Sequence, residues 1–389
     1  MIQQSTIPFS FPVTGMKRVV FFLILSFFAQ LSSASDFQKD TSVVGVQPVL
    51  KLLPDTNNPR NSEGDFITLK SGRILFVYTH YTGHSSSDHA SAFLASRFSD
   101  DGGKTWSEED GIVVQREGTM NVMSVSLLRL QNGRIALFYL RKNAINDCIP
   151  FVRFSDDEAK TWSEPISCIN DQKGYFVLNN NRVIQLQNGR LLLAVALHQT
   201  PEINKWSNTG RLFSYYSDDN GLTWSSGKEV PNPDNVVTQE PGLVELKNGN
   251  IFMFIRTGSG YQYQSFSSDK GVSWSPAAAT NIFSPLSPAS IQRIPSTGDL
   301  LMVWNNNDGT NPQLKGKRTP LTIAISKDEG LTWEKIKNIE NDPDGWYCYT
   351  AIHFNRKNLL LSYCAGSQRN KTHLSQTNLT RINLKWIYK

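Results

Sequence analysis

Six ionisable residues of the chain have types and positions that suit acid–base chemistry on an anionic ligand. In chain order they are Arg60, Asp88, Glu240, Arg256, Arg318 and Tyr349. Guanidinium groups bind a carboxylate or sulfate through paired hydrogen bonds of fixed planar geometry. A tyrosine that shares its proton with a buried glutamate can act as a nucleophile, and an aspartate with a raised pKa can protonate a leaving oxygen.

The three arginines are predicted to come from three different units of the fold. Arg60 precedes the strand predicted at 65–69, Arg256 ends the apolar run 251–255, and Arg318 precedes the strand predicted at 321–326. A single arginine at a strand end is ordinarily a solvated or salt-bridged surface residue. Three at equivalent places favour convergence on one anionic group.

The remaining candidates each have a structural alternative. Asp88 lies in the long loop 82–90, where it could cap the loop; Glu240 opens the strand predicted at 243–246 and could pair with an arginine. Tyr349 starts the strand predicted at 350–354 and could serve packing alone. Glu63, close to Arg60, would orient that arginine or join the chemistry.

No pattern of cysteines and histidines predicts a metal site or another cofactor. His80, His84 and His89 are close in sequence but lie in a Ser/Gly-rich segment without helical spacing, and the four cysteines include no Cys-x-x-Cys. A bound metal is therefore the disfavoured interpretation of the histidines. Cys348 and Cys364 flank one predicted hairpin, a position compatible with a disulfide.

A repeated turn indicates which elements must position these residues. Ser-x-Asp-x-Gly-x-Thr-Trp occurs at 99–106, 217–224 and 326–333, and recurs with one substitution each at 155–162 (Ala159 for Gly) and 267–274 (Ser273 for Thr). Six further turns, such as Gln131-Asn-Gly-Arg, each precede an apolar strand. Asn-Gly and Asp-x-Gly supply the left-handed positions of tight turns, where Asp and Ser side chains bond the turn's own amides.

The repeat predicts an all-β fold, a six-bladed β-propeller of four-stranded antiparallel blades. Short strands alternate with these turns, no segment has sustained helical periodicity, and each unit takes about 59 residues. Only five Trp-bearing turns are present, and we attribute the missing sixth to the blade that closes on the N-terminal strand. In a propeller, ligands are expected in the central funnel.

Composition and the N-terminus predict an exported globular protein. With 39% hydrophobic and 19% charged residues, the 389-residue chain is neither disordered nor a coiled coil. A net charge of +5 without any Lys/Arg block argues against nucleic acid as a partner. Lys17 and Arg18, the apolar stretch 19–31 and the small residues before position 35 form a secretory signal.

We therefore divide the chain into a signal peptide, 1–34, with Met16 as an alternative start, and a catalytic domain, 35–389. The alternative to cleavage is a membrane anchor, but thirteen residues are too few to span a bilayer, so stable insertion is not expected. The mature protein is expected in the periplasm or the medium.

The five Asp-box turns and the order of the six candidate residues resemble the sialidase (neuraminidase) superfamily. The local contexts are also similar: Asp88 precedes the first Asp-box, Glu240 is followed by Val-Glu-Leu-Lys-Asn-Gly and Arg256, and Tyr349 begins Tyr-Thr-Ala-Ile. The similarity covers nearly all of 46–388.

The resemblance implies retaining exo-cleavage of a terminal acidic sugar from an acidic oligosaccharide or glycoconjugate. Arg60, Arg256 and Arg318 would hold the sugar carboxylate, and Asp88 would be the acid/base. Tyr349, activated by Glu240, would form the glycosyl-enzyme intermediate, as in glycosidases with a tyrosine nucleophile. No metal or organic cofactor is implied.

Departures from the family pattern leave two alternatives open. Arg60 is followed by Asn-Ser-Glu-Gly-Asp, and Cys364 stands where a supporting carboxylate is common, so that Glu63 would substitute. His84 and His89 flank Asp88 and are further candidates for substrate binding. A lyase or oligosaccharide dehydratase acting on a uronate would use the same arginines. A non-catalytic glycan-binding propeller is the other alternative, although binding alone would not need an acid, a base and a phenol together.

Overall fold

The computed structural model describes residues 45–203 and 205–389. The predicted signal peptide, 1–34, lies outside the described residues. Over the described ranges the chain forms 25 β-strands and one five-residue helix, so the all-β prediction is confirmed. That helix is too short to cross a bilayer, and the described residues contain no other.

The elements are numbered in chain order. They are β1 (Val46–Leu52), β2 (Asn61–Thr68), β3 (Ile74–Tyr81), β4 (Ala92–Ser99), β5 (Gly111–Val114), β6 (Asn121–Arg129), β7 (Ile135–Ala144), β8 (Asp147–Ser155), β9 (Ile166–Ser167), β10 (Tyr175–Val177), β11 (Ile184–Gln185), β12 (Leu191–Gln199), β13 (Arg211–Ser217), β14 (Ser225–Ser226), β15 (Thr238–Glu245), β16 (Ile251–Thr257), β17 (Tyr261–Ser267), β18 (Ala278–Phe283), β19 (Ser290–Arg293), β20 (Leu300–Trp304), β21 (Leu321–Ser326), β22 (Glu334–Glu340), β23 (Gly345–Asn355), β24 (Asn358–Ser367), β25 (Thr377–Asn383) and α1 (Leu384–Tyr388).

The strands form five sheets, four of which have four antiparallel strands. The first sheet is β2–β5, the third is β15–β18, the fourth is β19–β22, and the fifth is β23–β25 together with β1. The second sheet contains nine strands, β6–β14, because β10 joins β8 through one parallel pairing, Tyr175 with Cys148. Apart from that contact, its two halves repeat the antiparallel arrangement of the other sheets.

Each Asp-box turn connects the third strand of a four-stranded unit to the fourth. In all five turns the first serine donates to the aspartate two residues later, at 2.7–2.9 Å. The aspartate also accepts from the amide of the following Thr or Ser. Ala159 holds the glycine position of its turn at φ 65°, a left-handed conformation that alanine rarely adopts.

The fifth sheet explains why only five such turns exist. Its outermost strand is β1, which pairs antiparallel with β25 from Val46–Ile382 to Leu52–Thr377. Its third and fourth strands therefore come from opposite ends of the described chain, and no turn connects them. The prediction that the sheet without an Asp-box closes on the N-terminal strand is confirmed.

Buried apolar side chains lie between consecutive sheets, and between the two halves of the second sheet, rather than in one central core. Between the first and second sheets, for example, Val77 packs in one cluster with Leu137. Similar clusters join the second sheet to the third, the third to the fourth, the fourth to the fifth, and the fifth back to the first. Each fully buried side chain of this kind contributes about 1.5–3 kcal/mol, so every sheet is stabilised by both neighbours.

Candidate active site

The predicted arginines converge on one end of the sheets, although they do not occupy equivalent positions. Arg60 precedes the first strand of its sheet, Arg256 ends a second strand, and Arg318 precedes a third strand. The expectation of equivalent places is therefore wrong. The three positions still meet because antiparallel strands start and end alternately, so the start of the first and third strands and the end of the second share one edge.

Arg60 is the centre of a buried ionic cluster. Its guanidinium donates to Asp88 Oδ1 through Nη1, and to Glu63 Oε1 and Ser62 Oγ through Nη2, both at 3.2 Å. Arg60 is 2% exposed, whereas the Asp88 side chain is 55% exposed on its loop. Glu63 also accepts from Ser124 Oγ. Glu63, three residues after Arg60 in the sequence, thus contacts that arginine directly.

Glu240, Tyr349 and two arginines form the second half of the site. The Tyr349 hydroxyl donates to Glu240 Oε1 at 3.2 Å, and Arg256 Nη1 donates to Glu240 Oε2 at 2.5 Å. The Arg318 guanidinium lies 5.6 Å from the centre of the Tyr349 ring. One carboxylate therefore bridges a phenol and an arginine, with a second arginine against the phenol.

Two thiols connect the halves. Cys364 Sγ lies 3.3 Å from Ser62 Oγ beside Arg60, and Cys364 is the cross-strand partner of Cys348, which precedes Tyr349. Both cysteines are buried free thiols, so the pair has the predicted hairpin position without a disulfide.

In four of the four-stranded units, the first strand carries a β-bulge where it reaches the site; these strands are β2, β6, β15 and β23. Pairing registers shift between Ser62 and Asp65, Met123 and Ser126, Gln239 and Gly242, and Cys348 and Ala351. Each bulge holds one non-glycine residue in the left-handed region: Glu63 (φ 51°), Ser124 (60°), Glu240 (44°) and Tyr349 (56°). Such conformations cost about 1–3 kcal/mol each and cluster at functional sites, where a bulge re-aims a side chain.

The surroundings separate the pKa values of these groups. Burial and the neighbouring charge of Glu240 raise the pKa of the Tyr349 phenol well above its ordinary value. Burial works to raise the pKa of Glu240, but Arg256 and Arg318 outweigh it and hold that pKa below its usual range. Desolvation likewise works to raise the pKa of Asp88, but the charge and hydrogen bond of Arg60 outweigh it, so that pKa is lowered. Glu63, in contrast, has its pKa raised by burial.

Two cations of the site were missed by the sequence analysis. Arg182, between β10 and β11, is buried with its Nη2 donating to the Ala289 carbonyl, and burial lowers its pKa to about 10. Lys142 is fully buried and its Nζ donates at 2.7 Å to the Asp88 carbonyl oxygen. Arg182 could have been found from its place in the sequence, because it lies just before a strand, β11, as Arg60 lies just before β2. Lys142 lies within the long strand β7, and nothing in the sequence marks it as a site residue.

The histidines beside Asp88 are peripheral. His84 is exposed and contacts the Thr56 carbonyl oxygen at 3.1 Å, and His89 is exposed with its ring edge-on to Tyr175. In residues 45–203 and 205–389 no cluster of His, Cys, Asp and Glu has the geometry to hold a metal ion.

Cationic groups outnumber anionic ones in the assembled site. The cations are Arg60, Lys142, Arg182, Arg256 and Arg318, and the carboxylates are Glu63, Asp88 and Glu240. An excess of buried positive charge disfavours a cationic ligand and favours an anion. One Arg318 nitrogen, Nη1, is buried without a hydrogen-bond partner among the described residues, so its N–H groups are available to donate to an anionic ligand.

These features define a β-sheet protein with an arginine-lined site around a tyrosine–glutamate pair, and sequence comparison gives the family. The model of the BNR repeat-like domain matches residues 81–361. The chain therefore belongs to the BNR-repeat (sialidase) superfamily, as the resemblance implied.

Individual relatives are distant. The chain is 28% identical over 267 residues to a sialidase of Clostridium perfringens, covering 61% of this chain and 67% of that protein. It is 24% identical over 265 residues to an anhydrosialidase of Macrobdella decora, of which the matched part spans only 33%. Among solved structures, the Hadza microbial sialidase Hz136 superposes with a TM-score of 0.68 at 18% identity, covering 85% of this chain and 66% of that one.

Proposed function

We propose that this chain is a sialidase-like retaining exo-glycoside hydrolase that releases a terminal carboxylated sugar. The observation that carries the proposal is the hydrogen bond of the Tyr349 phenol to Glu240, with Arg256 on the same carboxylate and Arg318 against the ring. A carboxylate that already receives the phenol's hydrogen bond can take its proton as the phenol attacks carbon.

The sugar carboxylate would bind the arginines and change the state of Asp88. Arg60 holds Asp88 in an ion pair, so a substrate carboxylate that takes the same guanidinium would displace Asp88. Losing that partner removes the charge that lowers the pKa of Asp88. The displaced carboxyl would then gain a proton more readily and serve as the acid. Binding of the anionic substrate would in this way prepare its own proton donor.

The chemical step follows from the same contacts. The Tyr349 oxygen would bond to the anomeric carbon as the bond to the leaving oxygen breaks; Glu240 would take the phenol proton, and Asp88 would give a proton to the leaving oxygen. In the second half, Asp88 would remove a proton from water, which attacks the anomeric carbon, and the proton on Glu240 would return to the phenol. Two displacements retain the anomeric configuration.

The finer architecture and the location belong to the same proposal. We infer a closed six-bladed propeller, with the nine-stranded sheet contributing two blades; the apolar cluster shared by the fifth and first sheets supports closure. We infer export to the periplasm or medium from the signal-like segment that ends before residue 35.

A two-channel assay on the purified protein tests the reaction. One channel follows release of a fluorogenic leaving group from a sialoside; the other follows near-ultraviolet absorbance of an unsaturated uronate formed from acidic oligosaccharides. We expect signal in the first channel alone. Signal only in the second would replace hydrolysis with elimination, and silence in both, together with retention on a glycan array, would leave a binding protein.

Similarity to a protein named anhydrosialidase favours one second candidate, intramolecular transfer. In that reaction a hydroxyl of the bound sugar, instead of water, would attack the glycosyl-tyrosine, giving a product lighter by one water molecule. Mass spectrometry of the released sugar separates the two outcomes, because both produce the same fluorescence.

A further inference from the structure

The bulge that carries Tyr349 removes backbone groups from the sheet ladder. In the pairing of β23 with β24 the register passes from Cys348–Cys364 to Ala351–Ser362, so Tyr349 and Thr350 have no partner on the neighbouring strand. Thr350 is 4% exposed and Tyr349 is half-buried, so a carbonyl oxygen left unpaired at either position is unfavourable. Something other than the sheet must satisfy them and hold Tyr349 at φ 56°.

Side chains from other sheets make those bonds. Asn180 Nδ2 donates to the Tyr349 carbonyl at 3.1 Å, and Ser290 Oγ donates to the Thr350 carbonyl at 2.6 Å. Asn181 Oδ1 accepts from the Ile352 amide at 3.0 Å. The backbone around the phenol is therefore fixed from the second and fourth sheets, not from its own.

Asn180 has a second bond that makes its role specific. The same Nδ2 donates at 2.8 Å to the Gly64 carbonyl, in the bulge that carries Glu63 beside Arg60. Asn180 is 1% exposed; its bond to Gly64 is buried and its bond to Tyr349 is partly buried, and hydrogen bonds shielded from water in this way are stronger than exposed ones. The Asn180 amide thereby links the bulge that carries Tyr349 to the bulge that carries Glu63.

We propose that Asn180 is a positioning residue for the nucleophile: through the Tyr349 and Gly64 carbonyls it sets the Tyr349 phenol against Glu240 and fixes its distance from the Arg60 cluster. The inference rests on the proposed function for its kinetic consequence, whereas its geometric consequence, the Tyr349–Glu240 contact, is independent of the reaction.

The test compares Asn180→Ala and Asn180→Asp with Gln262→Ala. Gln262 is a matched control: it is 2% exposed, and its Nε2 donates two bonds at 2.9 Å, to Ser284 Oγ and the Ser287 carbonyl, rather than to the bulges of Tyr349 and Glu63. Ser290→Ala, which removes one bond to Thr350, is the milder variant should Asn180→Ala not fold. Each purified variant is measured for thermal unfolding, kcat and KM on the sialoside, and affinity for the free acidic sugar.

We expect kcat of Asn180→Ala to fall about tenfold or more, because small displacements of a nucleophile are costly, while sugar affinity changes less than about threefold. Gln262→Ala should lose similar thermal stability but keep kcat. Asn180→Asp should recover relative to wild type as the pH falls, since a neutral carboxyl can donate one of the two bonds. Equal loss of kcat in Asn180→Ala and Gln262→Ala would overturn the inference.

A crystal structure of Asn180→Ala tests the positioning role of Asn180 without any measurement of turnover. The inference expects the Tyr349 hydroxyl to leave hydrogen-bond range of Glu240; an unchanged pair would refute it. Lack of turnover by the wild-type protein would refute the proposed function instead, and the crystal structure would still decide the role of Asn180.

Discussion

Two arginines of the site are paired with carboxylates of the protein itself. Arg60 holds Asp88, and Arg256 holds Glu240. The second pair is buried on both sides, whereas Asp88 sits on an exposed loop and can leave its arginine. The exchangeable contact thus belongs to the proposed proton donor, and the fixed contact belongs to the carboxylate that would have to be ionised to take the phenol proton.

Replacing Tyr349 with Phe tests the nucleophile. We expect kcat to fall by about 10³-fold or more, because the attacking oxygen is removed, while affinity for the free sugar stays nearly constant. Tyr139→Phe is the matched control, since its hydroxyl donates to Glu117 at 2.6 Å in a tyrosine–glutamate pair of the second sheet. Full turnover by Tyr349→Phe would remove Tyr349 from the mechanism.

Replacing Asp88 with Asn tests the acid. For a sialyl-oligosaccharide, whose leaving oxygen needs a proton, kcat/KM should fall about 10²- to 10⁴-fold. For an activated aryl sialoside the fall should be much smaller, because that leaving group departs as an anion. Steady-state kinetics on both substrates checks this, and equal losses on the two would argue that Asp88 only orients Arg60.

The residue types at the site were predictable, but their support was not. The order of Arg60, Asp88, Glu240 and Tyr349 is written in the sequence together with the Asp-box contexts. Asn180 and Arg182 were missed because they act through backbone groups and buried charge, which depend on which strands become neighbours. The left-handed conformation of Glu63 and Tyr349 was equally hidden, since neither residue type favours it.

At the scale of elements, the Asp-box turns make the free energy of unfolding depend on pH in the acid range. Hydrogen bonds from the turn hydroxyls and amides lower the pKa of Asp157, Asp269 and Asp328 to about 2. In an unfolded chain the pKa of an aspartate is about 3.9. The contribution of each turn to the free energy of unfolding is therefore complete above that pH, and it is lost as the pH falls toward the pKa of the aspartate in the folded protein.

We therefore expect the free energy of unfolding to decline between pH 5 and about pH 2. Replacing the three aspartates with Asn should lower stability at pH 7 and flatten this decline, because the ionised acceptors are gone. Urea denaturation across the pH range measures both effects. A variant that declines as steeply as wild type would assign the acid sensitivity to other carboxylates.

Turns were the most predictable elements, and strand pairing was the least. The Asp-box letters specify a local hydrogen-bond network, and all five networks are present. The bulges and the single parallel contact of Tyr175 with Cys148 depend on pairing between distant segments. The residue pattern within one segment therefore predicts neither the bulges nor the parallel contact.

At the scale of the molecule, the pairing of β1 with β25 completes the fifth sheet, which also carries Tyr349. Deleting residues 46–52 should expose the edge of β25, lower the melting temperature by about 5 °C or more, and promote association through the free edge. Calorimetry and light scattering measure the two effects. An unchanged, monodisperse protein would mean that β1 contributes little to closure.

The same pairing ties function to the order in which the ribosome makes the chain. β1 is synthesised before β2–β24 and finds its partner only when β25 emerges, and Asp88 exists long before Tyr349. Contacts this distant in sequence form slowly and late. A nascent chain therefore holds an unpaired edge strand through most of its synthesis, and the proposed hydrolysis would require that the fifth sheet, which carries Tyr349, has been translated and paired.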